Sequence, residues 1–457
     1  SGSGGYAAAF RAADMGMDVT LIDVEERPGG VCLFRGCIPS KALLHATELI
    51  QDTRRAGRMG ITFQAPEIDL DALREWKDGV VDRLADGMVT LSKKREVQLV
   101  HGRATFQSSQ ELRVRGSETM RIQFEHAILA TGSQPIALPD TVIHDGGRVM
   151  DSAGALELPD VPQRLLVVGA GYIGMELGSV YAALGSKVTV VELTGEILPG
   201  TDRDLVRPLE RRVRETFEAL HLNTQVVELE EKEGHVVVTL EGEVDQGQQT
   251  FDRVLVAIGR KPNSTDVGLE NTAVEVDEQG FVQVDDQRRT ADERIFAIGD
   301  VVGGKMLAHK AMYEGKVAAE VIAGEPSAFD ARAVPAVVYT DPTIAWAGLM
   351  EHKAREMDRE VQVARFPWRA SGRALTMNAS EGLTKVVFEP GTERILGVGI
   401  VGREAGELIA EAVLAIEMGA VATDVALSIH PHPTLSETIE ESAASVLGHP
   451  THILPRG

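Results

Sequence analysis

Two hydrophobic rhythms alternate along this chain. Leu165-Leu166-Val167-Val168 is a continuous apolar run, as a strand buried on both faces requires. Gly169-Ala170-Gly171-Tyr172-Ile173-Gly174 interrupts it, a helical pattern runs to Leu184, and Val188-Thr189-Val190-Val191 closes on Glu192. Strand, glycine turn, helix, strand and acid in that order predict a dinucleotide fold. Gly169 permits the tight turn, Gly171 lets the backbone approach a pyrophosphate, and Gly174 lets helix and strand close together. The helix N-terminus then faces the phosphates. Glu192 would hold a ribose 2′-hydroxyl, and no arginine follows it at once, which favours NAD over NADP.

The N-terminus repeats this pattern. Gly2 and Gly5 stand three apart, as do Gly171 and Gly174. Gly2 to Gly16 is fourteen, as is Gly171 to Gly185, and Gly2 to Asp23 is twenty-one, as is Gly171 to Glu192. Met15 to Asp23 mirrors Leu184 to Glu192. One glycine run is weak evidence, but matched anchors are strong, so two dinucleotide folds are expected. The first is cut: its opening strand and first glycine would precede Ser1. The sequence is therefore read as missing a short N-terminal piece. A natural variant without that strand would leave a buried sheet with an unpaired edge.

Between and beyond these folds the patterns are plainer. Lys41 to Arg58 has helical spacing, with Leu43, Leu44, Thr47 and Ile50 near one face, and residues 69–95 give a second helix. Residues 97–130 alternate as strands and end in Ala130-Thr131-Gly132, a close that suits a backbone lying against a flat cofactor. Pro135 and Pro139 mark a linker. The second fold ends in a strand closing on Gly259. Phe281–Asp285 reads as a strand, and Ile295–Ile298 as another, ending in Gly299-Asp300, where a carboxylate can accept from a polyol hydroxyl or simply end a turn. From about Ala333 strand-like segments and an amphipathic helix over Glu404–Ala420 predict an antiparallel sheet with helices, used for assembly.

Composition adds little except at the cysteines. A net charge of −23 argues against sequence-independent nucleic-acid binding. No stretch is long and apolar enough to span a bilayer, and the cytoplasm is the expected compartment. The chain has two cysteines, Cys32 and Cys37, between Gly29-Gly30 and Ile38-Pro39-Ser40-Lys41. Zinc would need further ligands, which no neighbouring Cys or clustered His supplies. A redox dithiol needs only these two, and two small buried hydrophobes are the plain alternative. Near the end stands His430-Pro431-His432-Pro433-Thr434-Leu435-Ser436-Glu437. Thr434 with Glu437 fits a capping box. The two histidines admit a general base, a metal pair lacking a third ligand, or a structural role.

Together these motifs resemble the pyridine nucleotide–disulfide oxidoreductases over essentially the whole chain. The residues that carry the likeness are Cys32-x4-Cys37-Ile-Pro-Ser-Lys41, the Gly169 fingerprint, Ala130-Thr131-Gly132, Gly299-Asp300, Thr340-Asp341-Pro342, Phe366-Pro367-Trp368 with Arg373, and His432 to Glu437. The resemblance implies an α/β chain of two doubly wound Rossmann-like dinucleotide-binding domains plus an α+β dimerisation domain. Its implied regions are FAD-binding (1–149), NAD-binding (150–265), central (266–333) and interface (334–457).

In the family pattern Cys32 is the interchange thiol and Cys37 the thiolate beside the flavin. His432 is the base, oriented by Glu437 and lent by the partner subunit of a homodimer. Lys41 approaches the flavin and pairs with Glu176. Gly2, Gly5, Asp23, Ala130, Thr131, Gly132, Asp300 and His309 line FAD, while Gly169, Gly171, Gly174, Glu192 and Gly259 serve NAD. No metal is implied. Absence of cysteines beyond Cys37 and of arginines after Glu192 points to the branch that oxidises dihydrolipoamide. Its partners would be the dihydrolipoyl acyltransferase of a 2-oxoacid dehydrogenase complex, or the H protein of glycine cleavage. Leu33-Phe34-Arg35-Gly36 departs from the usual Leu-Asn-Val-Gly, and Arg35 is either a cation acting on the thiols or a tolerated surface change. That cation motivates a second reading, a reductase of another small disulfide. The cut first fold motivates a third, a non-catalytic scaffold subunit.

Overall fold

The computed structural model describes residues 1–454, apart from 140, 145 and 245–246. The chain forms two compact units, Ser1–Asp160 with Val256–Asp330, and Val161–Leu255 with Ala331–Gly457.

In the first unit the chain enters the helix Ser3–Asp14 directly, with Gly2 as its N-cap and no side chain covering the first N–H groups. Thr20–Asp23 pairs in parallel with Gln98–His101, and Ala127–Leu129 pairs in parallel with Ile295–Ala297. The strands of the first fold run as these two parallel ladders. Ala8 of the first helix shares a core with Phe296, Ile298, Val317 and Val321, the last two from the helix Ala308–Ile322.

The helix predicted from Lys41 starts at Cys37 and ends at Arg55. Pro39 obscured that start, but proline is tolerated in a first turn, where its missing N–H has no intrahelical partner. A short helix, Gly30–Arg35, precedes it. Phe281–Asp285 is no strand; only Val282 makes an isolated bridge, to Val276.

In the second unit Ala219–His221, Lys187–Val191, Arg164–Val168 and Arg253–Val256 lie side by side in that order. The first three run parallel. Leu165, Leu166, Val167, Val188 and Val190 are fully buried, as their continuous apolar run requires. The C-terminal region is an antiparallel sheet in the order Ala336–Val338, Ile344–Gly348, Ile395–Val401, Leu383–Phe388, Gln362–Pro367. Helices Ala405–Met418 and Glu437–Val446 contribute Ile409, Ala412, Ile416, Ile439 and Ala443 to its core around Trp368.

A buried ion cluster joins the two parts of this unit. Lys385, 1 % exposed, reaches Asp202 and Asp204 at 2.5 Å each and Glu351 at 3.1 Å. Arg365 adds a bond to Asp204 at 2.8 Å and another to Glu351. His352 Nδ1 lies 2.6 Å from Asp202. Burial works to raise the Asp202 carboxyl, but Lys385 and His352 hold it below its ordinary value.

Candidate active site

The dithiol stands where two short turns meet. A Cβ on Gly30, whose φ is +62°, would sit 2.4 Å from the Cα of Gly2. The thiol helix and the first glycine turn therefore touch backbone to backbone, which side chains would prevent. Cys32 lies in the helix Gly30–Arg35 and Cys37 opens the helix Cys37–Arg55, with Gly36 between them. Both are free thiols.

Their hydrogen bond divides their acidities. The Cys37 thiol donates to Cys32, lowering Cys32 to about 7; burial opposes this, and Ser3 and the Lys41 ammonium assist it. The same bond pushes the Cys37 thiol up. In the reduced pair this bond leaves Cys32 the more acidic thiol. Ser3 was not singled out from the sequence. Its only signal there was its place directly after Gly2.

Arg35 points away from this chemistry. Its guanidinium lies 2.5 Å from Glu25. Arg27 stands 5.6 Å from the Phe34 ring and pairs with Asp82 at 2.7 Å and Asp86 at 3.2 Å. Phe34 and Arg35 therefore fasten the outer face of the thiol helix, and the charge of Arg35 is answered by Glu25.

The remaining residues of the first fold gather around the same turns. A Cβ on Gly5 would meet Ala130 at 3.5 Å. Asp23, closing its strand, accepts from the Ser1 hydroxyl at 2.7 Å and the Glu25 N–H at 3.0 Å. Thr131 and Asn263 exchange two hydrogen bonds, at 2.7 and 2.9 Å, fixing the Ala130–Gly132 turn. Asp300 accepts from Ser133 at 2.5 Å, and Ser133 in turn accepts from Arg260 at 2.7 Å. Gly259, at φ +127°, is exposed in this unit, and its carbonyl accepts from Ile136. His309 is exposed near the start of Ala308–Ile322. An uncapped helix start, a glycine cradle and an acid at a strand end fit an FAD pyrophosphate and ribose.

The second fingerprint is complete. Gly171 caps the helix Tyr172–Leu184 without a side-chain bond. A Cβ on Gly174 would fall 2.1 Å from the Gly169 carbonyl oxygen, so only glycine fits. Glu192 is buried and accepts from Ala170 N–H at 2.7 Å and Thr194 N–H at 2.9 Å, which fixes the acid beside the turn. These residues fit NAD. Glu176 is buried and accepts the Tyr339 N–H at 2.9 Å.

At the C-terminus His432 Nδ1 lies 2.7 Å from Glu437 Oε1. The expected capping box is half made: Glu437 accepts the Thr434 N–H at 2.7 Å, but the Thr434 hydroxyl donates to Pro431, and Ser436 is the N-cap. Burial raises the Glu437 carboxyl, and the Thr434 N–H and His432 overcome it, leaving it below the ordinary value. His430 does not join His432 as a metal pair; it bonds Glu411 at 2.8 Å. Among the described residues no group of three or more His, Cys, Asp or Glu could hold a metal ion. Among them, too, no helix is long and apolar enough to cross a membrane.

Two dinucleotide-type turns, a dithiol on the first and a separate His–carboxylate pair define a dithiol–disulfide oxidoreductase of the two-nucleotide class. Residues 1–315 match the model of the family described as pyridine nucleotide-disulphide oxidoreductase, and residues 334–443 match its dimerisation domain. The chain belongs to this family, whose members use FAD and NAD(H). It is 45 % identical over 441 residues to a dihydrolipoyl dehydrogenase of Haemophilus influenzae, covering 96 % of this chain and 92 % of that one. It is 47 % identical over 464 residues to one of Haloferax volcanii, covering 100 % and 97 %. The crystal structure of LpdA from Mycobacterium tuberculosis superposes with a TM-score of 0.90 at 27 % identity, over 97 % of this chain and 98 % of that one. The HOCl-induced flavoprotein disulfide reductase RclA from Escherichia coli gives 0.85 at 28 %, over 97 % and 98 %.

Proposed function

We propose that this enzyme oxidises protein-bound dihydrolipoamide to lipoamide and reduces NAD⁺ to NADH, as the E3 component of a 2-oxoacid dehydrogenase complex. The full-length likeness to dihydrolipoyl dehydrogenases carries the reading. The Arg35–Glu25 pair removes the reason for preferring another small disulfide.

Each residue has work that its surroundings suit. A dithiol substrate must lose a proton before it attacks a disulfide. Glu437 holds His432 by Nδ1, so Nε2 accepts that proton. The substrate thiolate attacks Cys32, the Cys32–Cys37 bond breaks, and Cys37 leaves as thiolate. The second substrate thiol passes its proton to the departing Cys32 sulfur as it attacks the mixed disulfide, closing lipoamide and releasing Cys32 as a thiol; the substrate has lost two electrons and the pair has gained them. Lys41 supports the negative charge on both sulfurs. Gly2, Gly5, Asp23, Ala130–Gly132, Asp300 and His309 would hold FAD, and Gly169–Gly174, Glu192 and Gly259 NAD. FAD, when bound, supplies the two-electron relay between dithiol and NAD⁺.

The working form is a homodimer in which His432 and Glu437 of one chain serve the dithiol of the other. Leu414, Met418, Leu427 and Ile429 of the dimerisation domain are strongly exposed in the single chain and suit such a contact. The partners are a dihydrolipoyl acyltransferase or the glycine cleavage H protein, and the compartment is the cytoplasm. The test is NADH formation from dihydrolipoamide by protein saturated with FAD. Absence of turnover at full flavin occupancy overturns the reading.

A further inference from the structure

A second imidazole–carboxylate pair lies one helical turn from the first. Glu441 is four residues after Glu437 on the helix Glu437–Val446, so the two carboxylates share a face, while Ile439 and Ala443 enter the core. Glu441 is 2 % exposed, which a lone carboxylate would not tolerate. The end of the chain folds back to satisfy it. Thr451 N–H and His452 N–H donate to one oxygen at 3.1 and 3.2 Å, and His452 Nδ1 lies 2.6 Å from the other. Two backbone bonds and one ring bond thus tie this segment and its imidazole to Glu441, one helical turn from Glu437.

We propose that His452, pinned by Glu441, is a positioning residue for the His432–Glu437 pair: a cation at His452 offsets the Glu437 carboxylate and weakens its support for charge on His432. The proposal rests on the reading of His432 as the base. The other groups facing this helix surface are Glu440, His430 with its partner Glu411, and His432 itself. Arg365 and Lys385, on the strands beneath the helix, are engaged with Asp202, Asp204 and Glu351. Asp424, on the preceding helix, accepts the Val421 N–H. His430 is engaged with Glu411, so His452 is a basic side chain held one helical turn from Glu437 besides His432.

The test compares His452→Lys, a permanent cation, with His452→Gln, a neutral side chain, in the FAD-loaded dimer. The acid limb of kcat/KM for dihydrolipoamide oxidation is expected to lie lower in His452→Lys than in His452→Gln, by about half a pH unit for charges one helical turn apart in a wet site. An NMR titration of the His432 imidazole in the same variants should give the same order without turnover. Coinciding midpoints overturn the proposal, even where melting temperatures fall, since a mere tether would cost stability and leave the limb in place. His432→Gln separates this from a failure of the underlying reading: parental turnover in that variant removes His432 as base and overturns both.

Discussion

Cys37 donates its thiol hydrogen to the sulfur of Cys32, and that bond separates two chemically identical groups. In the reduced protein iodoacetamide should therefore mark Cys32 before Cys37, with a midpoint near pH 7. Cys37→Ala removes the donor. Cys32 then returns toward an ordinary thiol near 8.5, and its alkylation at pH 7 should fall about tenfold. Peptide mapping of the labelled sites, with and without the substitution, checks both statements.

Glu437 fixes the His432 ring through Nδ1 and is itself held by Thr434. Loss of a general base typically costs about 10²–10⁴-fold in rate. His432→Gln should lose that much turnover with dihydrolipoamide, and Glu437→Gln less, because the imidazole remains but its orienting charge is gone. Steady-state kinetics at saturating NAD⁺ provides the measurement.

The pKa of His430 is held above its ordinary value first by the Glu411 carboxylate, against burial. A group whose folded value is raised stabilises fully below its unfolded value and loses that contribution as pH rises through the folded one. His430→Gln should therefore lower the melting temperature most below the ordinary histidine value, and the gap to the parent should narrow as pH rises through the raised folded one. A gap that widens with pH contradicts the Glu411 pairing.

Arg35 lies between the cysteines in sequence, yet its charge meets Glu25. Arg35→Gln should leave the Cys32 midpoint near 7. Lys41→Gln should raise it, because that ammonium stands within reach of both sulfurs. The alkylation profile of each variant distinguishes them.

Gly174 has no room for a methyl group, which would fall 2.1 Å from the Gly169 carbonyl oxygen. Gly174→Ala should destabilise the protein by about 1–3 kcal/mol, the usual cost of overpacking. NAD⁺ binding should weaken along with the turn, as read by denaturant titration and calorimetry.

Short-range chemistry was legible in the chain. The glycine spacings predicted both nucleotide turns, because each glycine answers a local steric demand. The amphipathic pattern over Glu404–Ala420 became the helix Ala405–Met418. Competition between local and distant partners was not legible. Thr434 and Glu437 read as a reciprocal cap, but the Thr434 hydroxyl found the Pro431 carbonyl instead. Phe281–Asp285 alternates like a strand yet lacks a ladder partner along its length. Pro39 seemed to delay a helix that it sits inside. The pairs made by Glu25, Glu411 and Glu441 join residues that no periodicity brings together.

Lys385 bears on how this protein can be divided. The two family models end at 315 and begin at 334, a seam of descent between modules. The compact unit ignores that seam and joins Val161–Leu255 to Ala331–Gly457. A fragment stopping at the seam would leave Asp202 and Asp204 without their cations, and the complementary fragment would keep Lys385 with Glu351 alone. Stranding one partner of a buried ion pair costs about 3–5 kcal/mol. The two segments pack as one compact unit, and a severed half should refold only when its complement is present.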